Sequence, residues 1–178
     1  MLSSRRPAWV AATAVVAAAA IASVAVAVTN AGASPPDELQ AVKAATARYH
    51  SFEQAEQAGY TVEGEPCIAS PLGTMGVHAV NPALIADPAI DPLRPEVLLY
   101  LPDADGKLRL VGVEYLKADA DGSLATDDDR PSVLGQAFDG PMPGHNPTMP
   151  VHYDLHVWLW EANPAGLFAM FNPSIACP

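Results

Sequence analysis

Proline recurs along this chain and constrains its fold more than any other sequence feature. Proline has no backbone N–H, and it disrupts both helix interiors and central strands. The chain contains 18 Pro and 12 Gly among its 178 residues. Prolines punctuate the segment from Val62 to Leu93 so often that we expect it to be irregular. This content excludes a helical bundle and predicts short elements joined by loops.

The charge balance limits the partners of this protein. Nine Lys and Arg residues stand against 20 Asp and Glu residues, which gives a formal net charge of −11. Nucleic-acid phosphates and anionic lipid headgroups are both bound through clustered cations. The sequence therefore predicts no nucleic-acid partner, and a metal ion or a small ligand is the expected one. The oligomeric state is left open.

Residues 1–33 have the order of an export signal. Arg5 and Arg6 precede an apolar run over residues 10–28, and Ala31-Gly32-Ala33 then has the small-x-small pattern of a signal-peptidase site. The run is almost long enough to span a bilayer, so an uncleaved membrane anchor is the alternative. Its many alanines make it weakly hydrophobic, which favours cleavage. We expect a secreted or cell-envelope protein with one domain over residues 34–178.

Two cysteines, Cys67 and Cys177, lie in that domain. Disulfides persist outside the cytoplasm, so we predict a bond between them, with a pair of metal-ligating thiols as the alternative. Closing a loop of about 110 residues stabilises the fold by about 4–5 kcal/mol in the simple chain-entropy treatment.

The fold class predicted for the domain is α+β, with an N-terminal helix packed on a small antiparallel sheet. An approximate apolar stripe between Asp37 and Ala58 indicates the helix. Gly59 fits the position just after its last turn. The rest of the domain is expected to be rich in Pro/Gly loops.

Three apolar segments predict the strands of that sheet. The segments 96–101 and 108–116 flank Asp105-Gly106, a strong turn signal, and predict a β-hairpin. The segment 151–160 is rich in β-branched and aromatic residues and predicts a third strand.

The third predicted strand carries the clearest functional pattern. Alternate residues of a strand point to opposite faces, and one face here is apolar. The other face carries His152, Asp154, His156, Trp158 and Trp160. Two imidazoles around a carboxylate are typical of a metal site or an acid–base site. Because His152 and His156 are about 13 Å apart on a strand, a metal would need ligands from elsewhere.

Other parts of the chain offer such ligands. His78 lies in a Gly-rich segment, where the backbone can approach closely. Glu114 projects beside apolar residues and Gly112, and a buried carboxylate requires a partner. The predicted metal ligands are therefore His78, Glu114, His152 and His156, with Asp154 and His145 as further ligands or as groups that orient the ligands.

The sequence leaves the metal and the reaction open. Met142 and Met149 flank His145, and thioether with imidazole suits copper, particularly Cu(I). A carboxylate with several imidazoles suits zinc, manganese or iron instead. Copper or zinc is the predicted cofactor. The chain contains no His-Glu-x-x-His motif and no phosphate loop, so a metalloenzyme is considered without a predicted reaction.

Two other functions remain as alternatives. In the first, the protein is a small-molecule-binding module whose pocket is walled by Trp158, Trp160 and Tyr115, with Phe138. In the second, it is a structural exported domain whose polar side chains only satisfy one another.

Several segments carry a family resemblance that covers most of residues 34–178. They are Ala45-Thr-Ala-Arg-Tyr49, Ala58-Gly-Tyr60, Cys67-Ile, Met75-Gly-Val-His78-Ala-Val-Asn81-Pro82, Pro95-Glu-Val-Leu-Leu-Tyr100, Leu110-Val-Gly-Val-Glu-Tyr115, and His152-Tyr-Asp-Leu-His-Val-Trp158 through Asn172-Pro-Ser-Ile-Ala-Cys177. In these segments the chain resembles a family of exported bacterial proteins. The resemblance implies a single exported domain whose pattern includes both cysteines, and it implies no particular activity.

Overall fold

The computed structural model describes residues 35–62, 64, 66–145 and 149–178. The export signal predicted over residues 1–33 lies outside them. Within the described residues the fold is mainly β. Six strands form one antiparallel sheet, and two short strands form a separate ribbon.

The elements are short. The strands are β1 (Ile68–Ser70), β2 (Gly73–Val80), β3 (Val97–Pro102), β4 (Leu108–Ala118), β5 (Ser132–Val133), β6 (Gln136–Ala137), β7 (Asp139–Met142) and β8 (His152–Val157). The spatial order in the sheet is β1-β2-β3-β4-β8-β7, and β5 pairs with β6 in the ribbon. The helical segments are α1 (Pro35–Thr46), a 3-10 turn (Ala47–His50), α2 (Phe52–Gln57) and α3 (Pro82–Ile85).

The predicted α+β fold, with an N-terminal helix on a small sheet, is wrong. The predicted helix is divided into α1, the 3-10 turn and α2. The Thr46 hydroxyl donates to the Val42 carbonyl oxygen at 2.8 Å, a bond that favours bending, and Ser51 has an extended backbone that separates the last two segments. The sheet is also larger than predicted, because β2 forms between Pro71 and Pro82 with no proline inside it.

The predicted hairpin is confirmed. β3 and β4 pair antiparallel, with Val97 opposite Glu114, and a bulge follows Leu99. The third predicted strand is confirmed in part as β8, which pairs with β4 so that Glu114 is opposite His156. These two pairings place the centre of the sheet around Glu114.

Both faces of the central strands are buried. One face joins the helical segments in a large apolar cluster that includes Val42, Tyr100 and Leu155. The Tyr100 hydroxyl donates to the Tyr49 carbonyl oxygen at 2.6 Å and so ties the sheet to the 3-10 turn. The other face carries a smaller cluster of Val97, Leu99, Val111, Leu116 and Trp158. Burying a large apolar side chain fully contributes about 1.5–3 kcal/mol to the free energy of folding, so the cluster on this second face also stabilises the fold.

The predicted disulfide is confirmed, because Cys67 and Cys177 are bonded across 110 residues. The C-terminal segment is also attached to β2 by paired hydrogen bonds between Thr74 and Asn172, each 3.0 Å long. A disulfide indicates an oxidising environment. Among the residues that the structure describes, no helix has the length and apolar content needed to cross a bilayer.

Candidate metal centre

Neighbouring strands bring His78, Glu114 and His156 to one face of the sheet. His78 of β2 is opposite Leu99 of β3, and Val97 of β3 is opposite Glu114 of β4. Glu114 in turn is opposite His156 of β8. Paired residues and residues two apart share a face, so all three functional side chains point the same way. We call these three residues the trio.

The trio has the spacing of a metal coordination sphere. His78 Nε2 is 3.1 Å from Glu114 Oε2, and His156 Nε2 is 3.7 Å from the same oxygen. One ligand atom from each residue lies within 4.8 Å of the other two. Ligand atoms bound at about 2.0–2.2 Å around a tetrahedral ion are about 3.3–3.6 Å apart. The trio can therefore hold a metal ion with small adjustments.

The trio is also shielded from solvent. Glu114 and His156 are 2% and 1% exposed, and His78 is 8% exposed. Both ring nitrogens of His156 are buried and have no hydrogen-bond partner among the described residues. An unpaired buried polar atom costs about 1–3 kcal/mol. A cation at Nε2 would supply one missing partner.

The trio favours the protonation states that bind metals. Burial alone would raise the pKa of Glu114, but the imidazoles of His156 and His78 outweigh burial and hold that pKa at about 2. Burial lowers the pKa of His156 to about 4, although Glu114 opposes this. At neutral pH the glutamate is therefore ionised and the His156 imidazole is neutral. Metal ions bind these two forms.

Asp154 lies on the same strand and the same face as His156. Its side chain is fully buried, and neither carboxyl oxygen has a hydrogen-bond partner within the described part of the chain. Burial, followed by repulsion from Glu114 and Asp139, raises its pKa to about 8. Asp154 Oδ1 is 3.8 Å from His156 Nδ1, which is beyond hydrogen-bond range. A small movement would let it accept that N–H, as carboxylates do behind metal-bound histidines.

His152 lies on this face too, but outside the trio. It is opposite Ala118, four residues along β4 from Glu114. Its Nδ1 is 3.1 Å from the Pro150 carbonyl oxygen, and because a carbonyl only accepts, Nδ1 carries the proton. Burial lowers the pKa of His152. Its predicted role as a metal ligand stays a prediction.

His145 packs beside His152 rather than beside the trio. The two rings meet edge to face, with their centroids 5.0 Å apart. The His145 side chain is exposed. Its predicted part as a ligand, or as a group that orients one, is untested by this arrangement.

The predicted role of Trp158, Trp160 and Tyr115 as pocket walls stays a prediction, and the structure shows the contacts of each residue. The Tyr115 hydroxyl donates to the Pro92 carbonyl oxygen at 2.7 Å from within the larger core cluster, which also holds Phe138. The Trp158 indole donates to the Ala169 carbonyl oxygen at 2.6 Å. The Trp160 ring contacts the imidazole of His50, with a centroid distance of 4.4 Å.

A cavity of about 290 Å³ adjoins the trio. His78 and Glu114 are part of its lining, together with His145 and Pro150. The apolar wall is formed by Ile68, Val80, Ile85, Val97, Leu116, Ala118 and Met149. Sequence reasoning missed this cavity, because its wall comes from segments far apart in the chain and no local pattern marks them.

The chemistry of this site has to be inferred from its geometry. Comparison of the chain with protein-family models, with curated proteins and with solved structures finds no match. The site offers two imidazole nitrogens and one carboxylate oxygen next to a mainly apolar cavity. Such a donor set can bind a divalent ion and leave part of its coordination sphere open.

Proposed function

We propose that this protein is an exported metal-binding protein in which His78, Glu114 and His156 hold one divalent ion. The observation that carries the proposal is the position of His156. Its two ring nitrogens are buried without a hydrogen-bond partner among the described residues, and Nε2 is 3.7 Å from a buried carboxylate oxygen. A purely structural histidine in a core would be hydrogen-bonded. An ion between the imidazoles and the carboxylate would supply the partner that Nε2 lacks.

The donor set favours zinc. Two histidines and one glutamate, with water in the fourth position, form a common catalytic zinc site. The same set also suits non-haem Fe(II). Cu(I) prefers thioether and thiolate sulfur, and the trio contributes none; Met149 lies in the cavity wall. Zinc is therefore our proposal, and iron and copper are alternative results of the metal analysis.

A three-residue site would support a metalloenzyme. An ion held by three protein ligands keeps a position for water or for a substrate atom. There it would lower the pKa of a bound water or polarise a bound oxygen. Asp154 would then fix the orientation of the His156 ring, which would hold Nε2 toward the ion.

Metal content tests the proposal. The protein is isolated from the compartment where it accumulates, and its metals are measured by plasma mass spectrometry, with zinc affinity measured by titration. We expect about one equivalent in the native chain and in His50→Asn, whose exposed imidazole is outside the trio. Glu114→Gln and His156→Asn should each bind zinc at least tenfold more weakly while keeping the native circular dichroism. Folded native chain that takes up no zinc, iron or copper would refute the proposal.

We also propose export, which the disulfide and the sequence pattern of residues 1–33 support. Mass spectrometry of the protein recovered outside the cytoplasm checks this. We expect a chain that begins near residue 34 and carries an intact disulfide. Full-length protein found only in the cytoplasm with free thiols would exclude export.

A further inference from the structure

We infer that the metal centre binds a small organic molecule that has one metal-binding oxygen group and an uncharged apolar body, and that this body occupies the adjoining cavity. The inference rests on the proposed function, since the oxygen group is held by the ion. It goes beyond metal binding by naming the class of molecule that the site accepts.

The size of the cavity limits the molecule. Its volume of about 290 Å³ equals the share of about ten water molecules in the liquid. Small-molecule sites begin at about this volume. A ring with a short polar group fits such a space, whereas a peptide or an oligosaccharide does not.

The lining sets the polarity of the molecule. Seven apolar side chains and Pro150 form the wall, and the ionisable lining residues among those described are His78, Glu114 and His145. In the part of the chain that the structure describes, no lysine or arginine lines the cavity, so none of these residues would neutralise an anionic group away from the ion. Burying an uncompensated charge is costly. The body of the molecule is therefore uncharged, and its polar group is directed at the ion.

The position of the trio determines where the polar group binds. His78 and Glu114 are ligands of the proposed ion and also line the cavity, so an ion between them would face the cavity space. The fully buried His156 is not among the lining residues, and it would hold the ion from the side of the sheet. An open coordination position on that ion would therefore face the cavity.

The cavity also has a wall residue at the protein surface. Ile85, at the end of α3, is 39% exposed and lines the cavity. A polar residue there can be accommodated by the fold because the position already meets solvent. Leu93 is 46% exposed and does not line this cavity, so it provides a matched control.

Two hydroxamic acids test the inference, because they share a metal-binding group and differ in their apolar body. The full chain is loaded with Co²⁺, and the visible spectrum is followed during titration with benzohydroxamic acid and with acetohydroxamic acid. We expect the benzo compound to bind at least tenfold more tightly. Ile85→Asn should reduce this ratio at least threefold, whereas Leu93→Asn should leave it unchanged.

The outcomes separate the two proposals. If Co²⁺ binds at one equivalent but the two hydroxamic acids have equal affinities, the inference is wrong and the metal site stands. A preference that Ile85→Asn does not alter would also overturn the inference, because the phenyl ring would then lie elsewhere. If folded protein binds no Co²⁺, the proposed function and the inference fall together.

Discussion

At the scale of single residues, Asp154 is the group with the most unusual surroundings. A carboxyl group with no exposed area and no hydrogen-bond partner among the described residues avoids ionisation, so it keeps its proton to about pH 8. A divalent ion near His156 would favour the ionised form and reverse this tendency. The stability of the metal-free protein should therefore report on Asp154.

We predict that the metal-free protein loses about 1 kcal/mol of unfolding free energy between pH 7 and pH 8. The pKa of Asp154 is raised on folding from 3.8 to about 8. The contribution of this carboxyl group to stability is therefore complete below pH 3.8 and is lost as the pH rises through about 8. Glu96, whose folded pKa is about 7, contributes mainly below this window. Because the pKa of His156 is lowered on folding from 6.5 to about 4, this residue makes the unfolding free energy rise with pH between those two values, below the window of the prediction.

Urea denaturation in the presence of a chelator measures this effect at the two pH values. Asp154→Asn should lose only about 0.3–0.4 kcal/mol from pH 7 to pH 8, which is the part due to Glu96, because the amide does not ionise. An exposed carboxylate that does not act on Asp154 provides the control, and Asp105→Asn should still lose stability. A decline that is equally steep in Asp154→Asn would contradict the role given to this carboxyl group.

At the scale of elements, the pairing of β4 with β8 positions the trio. Gly112 of β4 allows close approach, because a Cβ atom there would lie 2.6 Å from the Val157 carbonyl oxygen and 3.3 Å from Leu99 Cδ1. Val157 pairs with Val113, directly beside the Glu114–His156 pair. Any displacement of β8 at this point would move His156 away from Glu114.

Gly112→Ala is therefore expected to lower the unfolding free energy by about 1–3 kcal/mol, as overpacking does in cores. It should also weaken zinc binding, although residue 112 is not a ligand. Urea denaturation and zinc titration check the two effects, with exposed Ser132→Ala as the control. Native stability and native zinc affinity in Gly112→Ala would show that the close approach is unimportant.

The same elements show how much the sequence could predict. The hairpin of β3 and β4 follows from local signals, since an Asp-Gly turn joins two apolar segments. The strand β2 does not follow from local signals. The surrounding segment is rich in proline, and because β2 is buried on both faces it has no alternation of apolar and polar residues. Likewise, alternation places His152 and His156 on one face, but only the register of β8 against β4 decides that His156 meets Glu114.

At the scale of the whole molecule, the disulfide attaches the C-terminal segment to the edge of the sheet. Cys67 immediately precedes β1, whose Ile68 lines the cavity. The disulfide was predictable from the expected compartment and the number of cysteines. The α+β class was not correct, because helix signals near the N-terminus are local, whereas the extent of a sheet depends on pairings between distant segments.

Replacing both cysteines, as Cys67→Ser with Cys177→Ser, should lower the unfolding free energy by about 4–5 kcal/mol. The reason is the larger entropy of an unfolded chain without the 110-residue closure. Urea denaturation of the variant and of the oxidised native protein measures the difference without a thiol reductant that would bind metal. A difference below about 1 kcal/mol would mean that the unfolded chain gains little freedom.

The most direct test of the metal site is an anomalous difference map from zinc-treated crystals, recorded on both sides of the zinc absorption edge. We predict one strong peak about 2.0–2.2 Å from His78 Nε2, His156 Nε2 and a Glu114 carboxylate oxygen. A map with no peak at the trio, or with zinc bound only to exposed carboxylates elsewhere, would contradict the account.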